Sequence, residues 1–415
     1  MKRVAHHPQR LKHLPFFEVL SSVPEESSEA RLATAGLLTL RMIDHWVLAG
    51  SAIVEPESVS VRSVRRAITA VPPQEPIREA LLTIVNTMQM LREVDVAPLL
   101  PRVFAYAQLL ERHHAAMALA ADAYQSVIRL ADAEFDAELV MDAYYRLAFC
   151  QRKVGALDDA VESSTALSRI AGRRKDRARV LRAKIGLGLV AMMRGDLADA
   201  DSMFVAVATE GERYKLTREF AMATHNRAVV ASRAGNATDA VILAHQALKS
   251  TNDPVERDRV LGDLAAFLIQ LEQYDVALDA LRILELTAAS EEPRLSARGN
   301  ILIVAARAGN KQLFDAAQAS LAEARLPVAA HVNFLVESAR GLFRFGDQAA
   351  ADLALTTAER EAKLHGLTGS LTEIDGIRRT GERPVVASAD VRTYVDNRTY
   401  TVAADLREMA AAIAA

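Results

Sequence analysis

Two stretches near the N-terminus place apolar residues at the three- and four-residue intervals of a buried helix face. One is ARLATAGLLTLRMIDHWV, from Ala30 to Val47, after a Ser27-Ser28 start. The other runs from Ile77 to Leu91, after the turn-rich Pro72-Pro73-Gln74-Glu75-Pro76. Further on, the helical pattern itself becomes periodic. Helix-turn-helix junctions align with a turn residue at His113, Gly155, Gly195, Gly235, Glu272, Gly309 and Gly346, at spacings of 42, 40, 40, 37, 37 and 37 residues. Five residues after these stand Ala118, Ala160, Ala200, Ala240, Ala277, Phe314 and Ala351. Gly accepts the left-handed conformation that ends a first helix, and Ala lets the second helix approach closely. A helix pair of this kind cannot bury its apolar face alone, so stacked copies form one continuous core.

The clearest copies begin at Gly186 (GLGLVAMMRGDLADADSMF), His225 (HNRAVVASRAGNATDAVILAHQAL) and Ala265 (AAFLIQLEQYDVALDALRIL). In them the sequence resembles the tetratricopeptide repeat (TPR) family. Leu187-Gly188 matches its Leu-Gly pair, Gly195-Asp196-Leu197 its turn, and Ala200 with Phe204 its Ala-x3-Phe. Gly235-Asn236 with Ala240, then Ala247-Leu248 and Pro254, fit a further copy, as do Leu264-Ala265, Tyr274 and Ala277. The chain departs from the family in its longer spacing (~34 residues is usual), in lacking the signature Trp, and in Phe314. The resemblance implies an all-α fold: a right-handed α-solenoid, or superhelix, of about seven TPR-like helix-turn-helix repeats with a helical N-terminal cap.

Four segments are expected. Residues 1–26 form a basic N-terminal segment, 27–98 divergent helical cap repeats, 99–368 the repeat array, and 369–415 a linker and C-terminal tail. Gly376, Gly381 and Pro384 mark the end of the array. Arg392-Thr393-Tyr394 and Arg398-Thr399-Tyr400 flank Asp396-Asn397 as a short hairpin would, ahead of a terminal helix from about Ala403 to Ala414.

Composition sharpens this picture. The 415 residues are 51% apolar but only 5% aromatic, with 18 Gly and 13 Pro. Strands are therefore expected to be rare, and the length to come from repetition rather than from one large core. A formal net charge of −3 gives no overall pull towards nucleic acid. The single Cys150 excludes a disulfide framework. The first twenty residues hold no apolar run long enough for a signal sequence, nor is there a stretch suited to membrane insertion. The reading is a soluble, cytoplasmic protein.

No catalytic or metal-binding spacing is present, so neither an enzyme nor a cofactor is expected. His6-His7 and His113-His114 are adjacent pairs, whereas ligation from one helix face needs residues three or four apart. Asp158-Asp159 and Glu291-Glu292 fall at helix starts, where carboxylates complement the dipole. The densest charge is Arg173-Arg174-Lys175-Asp176-Arg177, continued by Arg179, Arg182 and Lys184. It lacks interleaved aromatics for base stacking.

In proteins resembling this family, the exposed face of each first helix lines a concave groove. That register assigns Asp142, Tyr145, Arg146, Phe149, Arg152 and Lys153 to the first full unit and Leu189, Met192 and Met193 to the next. His225, Asn226, Val229 and Arg233 follow, then Arg259, Asp263 and Gln270, then Asn300 and Arg307, and finally Asn333, Arg340 and Arg344. Lys153, Arg233, Arg307 and Arg344 recur at one position, as do Asn226 and Asn300. Arg offers paired donors to carboxylates, and Met192-Met193 an adaptable apolar floor. The same arginines would also complement helix C-termini. The sequence thus points to a non-catalytic scaffold or adaptor that takes a protein or peptide partner in its groove. The alternative is a regulatory sensor of a small ligand or signalling peptide that controls an effector. A homo-oligomer is compatible with either.

Overall fold

The computed structural model describes residues 12–49, 58–91, 95–113, 116–132, 134–380 and 397–414. Among them every regular element is a helix. His6-His7, His114 and residues 392–396 lie outside the described residues. The chain divides into two compact units, Met1–Gly195 and Asp196–Ala415.

The first unit holds α1 (Leu14–Ser22), α2 (Ser28–Ala49), α3 (Val59–Ala70), α4 (Pro76–Met90), α5 (Leu100–His113), α6 (Met117–Leu130), α7 (Ala137–Lys153), α8 (Leu157–Arg173) and α9 (Arg177–Arg194). Each of the two helical stretches read from the apolar pattern is there, as α2 and α4. Consecutive helices from α4 to α9 pack on one another, and α5 touches α7, as α7 touches α9. Their core includes Trp46, Tyr106, Tyr124 and Cys150, all buried. The first repeat differs from its expected register. His113 closes α5 rather than forming the turn, α6 starts at Met117, and the fully buried alanines are Ala120 and Ala123 while Ala118 is half-buried. Ala120 is the fourth residue of α6, as Ala160 is of α8, so this unit runs two residues later than the aligned register.

The second unit holds α10 (Leu197–Arg213), α11 (Thr217–Arg233), α12 (Ala237–Ser250), α13 (Pro254–Gln270), α14 (Tyr274–Thr287), α15 (Glu291–Arg307), α16 (Lys311–Ala322), α17 (Val328–Arg344), α18 (Gln348–Leu364), α19 (Thr368–Thr380) and α20 (Tyr400–Ala414). Here α11, α13, α15, α17 and α19 are in contact each with the next, and the intervening second helices pack behind them. α19 touches both α17 and α18, as the first helix of a further pair would.

The turns follow from backbone chemistry. Gly155, Gly195, Gly235, Gly309 and Gly346 have φ between 73° and 89°. At Gly235, its N–H donates to the Ser232 carbonyl (3.0 Å) and that of Asn236 to the Ala231 carbonyl (2.9 Å), the two bonds that satisfy the orphan carbonyls of a helix end. Asn236 then caps the following helix by accepting from the Asp239 N–H. Asn310 and Asp347 do the same after Gly309 and Gly346. One Gly-Asn or Gly-Asp pair thus ends one helix and starts the next.

Three non-Gly residues take this conformation in the same kind of turn: Glu272 (φ 58°), Lys175 (φ 59°) and Lys215 (φ 56°). A left-handed L-residue costs about 1–2 kcal/mol, and Gly returns only about 0.5–1 kcal/mol of that through its looser unfolded chain. Glu272→Gly should therefore stabilise the chain by about 0.5–1 kcal/mol, read as a higher denaturant midpoint.

The small-residue position behaves as expected. Ala160, Ala200, Ala240, Ala277 and Ala351 are all 0% exposed. Phe314 is equally buried, and its ring lies against Gly341 of α17, where an added Cβ would meet Phe314 Cε2 at 2.1 Å.

The tail corrects the hairpin expectation. Arg398 and Thr399 belong to a single 3-10 turn, Asn397–Thr399, that leads directly into α20. Helix α20 packs on α14 and α12 through Val402, Ala403 and Leu406. Asp405 reaches Lys249 at 2.7 Å and His245 at 3.0 Å, and Gln273 Nε2 donates to Thr399 Oγ1 at 3.1 Å. Pairing with buried partners more than a hundred residues away overrides the local turn signal.

Candidate functional site

The contacts between successive first helices bring their outer faces together within each unit, so equivalent residues add up across repeats. Most seams between these helices carry an ion pair. In the first unit, Arg146 of α7 donates to Glu111 of α5 (3.0 Å), and Tyr124 donates to the same buried carboxylate at 2.7 Å. Arg179 of α9 binds Asp142 (3.0 Å) and Glu138 (2.7 Å) of α7 as well as its own N-cap Asp176. In the second unit, Arg340 of α17 reaches Glu373 of α19 at 2.9 Å and Glu337 at 3.2 Å. The basic run is thereby divided: Arg179 is locked into a seam, whereas Arg173 and Lys175 are exposed at the α8–α9 turn.

Arg152 breaks this pattern. It stands in the last turn of α7, half-buried, and its Nη1 lies 3.5 Å from where a Gly186 Cβ would be. Gly186 of α9 therefore leaves room for the guanidinium. Among the described residues no carboxylate and no hydrogen-bond acceptor engages it, and its Cζ lies 6.0 Å from the centroid of the Phe149 ring. Burial pulls its pKa down from the usual arginine value, more than the neighbouring Tyr145 and Cys150 offset. Lys153, exposed, sits over the same ring with Nζ at 5.7 Å. Two cations and one aromatic ring thus meet at the end of α7. On the neighbouring first helix Met192 is buried (7% exposed), and Met193 is 47% exposed.

The remaining sequence-derived residues fall as follows. His225 is 3% exposed, with Nε2 at 2.8 Å from Asp263 and Nδ1 at 3.2 Å from Glu256, so both ring nitrogens are occupied within the chain. Asn226 donates to the Met222 carbonyl at 2.7 Å. Arg233, Arg307 and Arg344 are the final residues of α11, α15 and α17, with Gln270 at the same place on α13. Asn300 is half-buried on α15. The acidic partners Glu111 and Glu373 were missed in the sequence because the register singled out exposed positions on each helix separately. Their signal was an acid about one repeat from the arginine it pairs, 35 residues before Arg146 and 33 after Arg340.

Cys150 is buried, and burial pushes its thiol up to about 12, so it is no nucleophile. Alkylation by a thiol reagent at neutral pH should be negligible in the folded chain and rapid in denaturant. Among the described residues no group of three or more His, Cys, Asp or Glu is placed to hold a metal, and no helix is long and apolar enough to cross a membrane.

The fold is that of a helical repeat protein. Among solved structures it is similar to the apo form of RapI, at 16% identity and TM-score 0.46 over 64% of this chain and 98% of that one. It is also similar to a Rap protein complexed with Competence and Sporulation Factor, at 12% identity and TM-score 0.47 over 81% of this chain and 99% of the other. No protein-family profile matches the sequence, and no curated protein does.

Proposed function

We propose that the chain is a non-catalytic, TPR-like adaptor that binds an acidic segment of a partner protein on the face of α7 and α9. The observation that carries this reading is Arg152, a half-buried cation with no counter-ion among the described residues, next to Lys153 on the Phe149 ring. Burying an unpaired charge is costly, and neighbouring repeats avoid that cost by giving Arg146 and Arg179 carboxylates of their own. A partner carboxylate would complete Arg152 with a charge-assisted, two-pronged hydrogen bond. The partly exposed Met193 offers an adaptable apolar contact on the same face.

Affinity capture from the native host tests this, with quantitative mass spectrometry of three baits. These are the wild type, the reversal Arg152→Glu with Lys153→Glu, and a control reversal of the exposed Arg169 and Arg173 on α8. The proposal expects partners shared by wild type and control and lost from the first-helix reversal. Equal recovery by all three baits would refute it.

A further inference from the structure

The seam between α11 and α13 is built on a seven-residue spacing. Arg218, His225 and Ser232 lie two turns apart along one side of α11, and Glu256, Asp263 and Gln270 do so on α13. They meet as His225 with Glu256 and Asp263, and as Ser232 with Gln270 at 3.0 Å, while Arg218 reaches the α13 N-cap Asp253 at 3.5 Å. In the seams of α5 with α7, α7 with α9, and α17 with α19, the cation is an arginine, which stays charged at any physiological pH. Here it is a histidine, buried and with a carboxylate on each ring nitrogen.

We infer that His225 is a pH-responsive link between two successive repeats: as imidazolium it ties α11 to both carboxylates of α13, and as neutral imidazole it must release one of them. A neutral ring has one N–H, so whichever nitrogen loses its proton points a lone pair at a carboxylate oxygen. The charged groups facing the ring are Glu256 and Asp263, with Arg259 pairing Glu256 at 3.1 Å and Asp253 acting on Glu256 from the start of α13. Among the described residues α10 and α12, which also pack on α11, present no titratable partner to it.

Burial alone would lower the His225 pKa, but the hydrogen bonds to Asp263 and Glu256 outweigh it and hold it above the ordinary 6.5. The stabilisation is thus complete below pH 6.5 and lost as pH rises through the raised native value. Burial would likewise raise Glu256, but the bond from His225 prevails and lowers it from 4.5, so its contribution fades only as pH falls through that lower value. The link is tightest between those limits and loosens on the alkaline side. A consequence for partner binding on the second unit would rest on the proposed adaptor role, whereas the link itself is measurable without a partner.

The test uses the full chain, melted at intervals from about pH 6 to about pH 9. Wild type is compared with His225→Gln and, should that variant fold poorly, with Asp263→Asn, whose carboxylate is 43% exposed. His13, with Asp122 at 2.5 Å and Asp44 at 3.5 Å, titrates in all three proteins and cancels in the difference. The wild-type melting temperature should exceed that of either variant by about 2–4 °C at the acidic end, and this margin should shrink as pH rises. Histidine ring NMR should show His225 titrating above ~6.5 in the wild type and lower in Asp263→Asn. A margin independent of pH, or a ring titrating at or below ~6.5, would overturn the inference.

Discussion

Gly341→Ala should lower stability by about 3 kcal/mol, at the upper end of the cost of overpacking a core. The new methyl would have to occupy the space of the Phe314 ring, whose Cε2, Cζ and Cδ2 lie 2.1, 2.5 and 3.0 Å from the Cβ position. Phe314 has no retreat, since it is fully buried and its ring packs, tilted by 54°, against Phe345 at 5.2 Å between centroids. The pair also explains the one repeat that replaces Ala at this position. Where Ala200, Ala240 and Ala277 occupy the small-residue position, the residue five before the next turn residue is Val230, Phe267 and Val304. After Phe314 the order is inverted and that residue is Gly341. The large side chain has moved to the other helix, leaving the combined volume nearly constant. Phe314→Ala alone should cost about 3–5 kcal/mol by opening a cavity. Phe314→Ala with Gly341→Val restores the arrangement of the other repeats and should recover much of both losses. Denaturant unfolding of Phe314→Ala, Gly341→Val and the double variant measures the coupling, and additive losses would show that the two positions do not share one space.

Arg152→Met should separate stability from binding. A half-buried guanidinium without a counter-ion is a cost to the free chain, so a similar-sized apolar side chain should leave it equally stable or more stable by about 1 kcal/mol. The same change should weaken the partner complex by about 1.5–3 kcal/mol, the worth of a hydrogen bond to a charged group, or roughly 10–100-fold in affinity. Arg146→Met makes the contrast. It strips Glu111 of its cation inside the core and should destabilise the free chain by about 3 kcal/mol. Thermal melts of both variants, followed by titration with the captured partner, read both effects. If Arg152→Met melted like Arg146→Met, Arg152 would be an ordinary structural residue.

What the sequence made legible was local. Gly155, Gly235, Gly309 and Gly346 announce their turns because the left-handed conformation almost demands Gly, and the Asn or Asp after three of them announces the next helix. The left-handed turns at Lys175 and Lys215 were silent because no Gly marks them. Pairing across repeats was harder to see. The inverted Phe314 and Gly341 stand 27 positions apart, and Phe314 by itself looked like a lapse in the pattern. His225 was read as a groove contact, and only the seven-residue spacing on both α11 and α13 could have placed it in a seam. Arg152 was singled out, but so were many other residues of the groove face. Its distinction is the carboxylate it lacks, which depends on where Glu111 and Asp142 direct their charge. The docking of α20 rests on contacts such as Lys249 with Asp405, 156 residues apart, beyond any local signal.

The claim that the α7 and α9 face receives an acidic partner segment is tested most directly by site-specific photocrosslinking in the native host. A photoreactive residue is placed at Lys153 or Met193 on that face, or at Arg169 on α8. The account predicts that the two first-helix positions crosslink the same partner, through peptides rich in Asp and Glu, and that the α8 position does not. Crosslinks confined to α8, or partner peptides without acidic residues at Lys153, would contradict it.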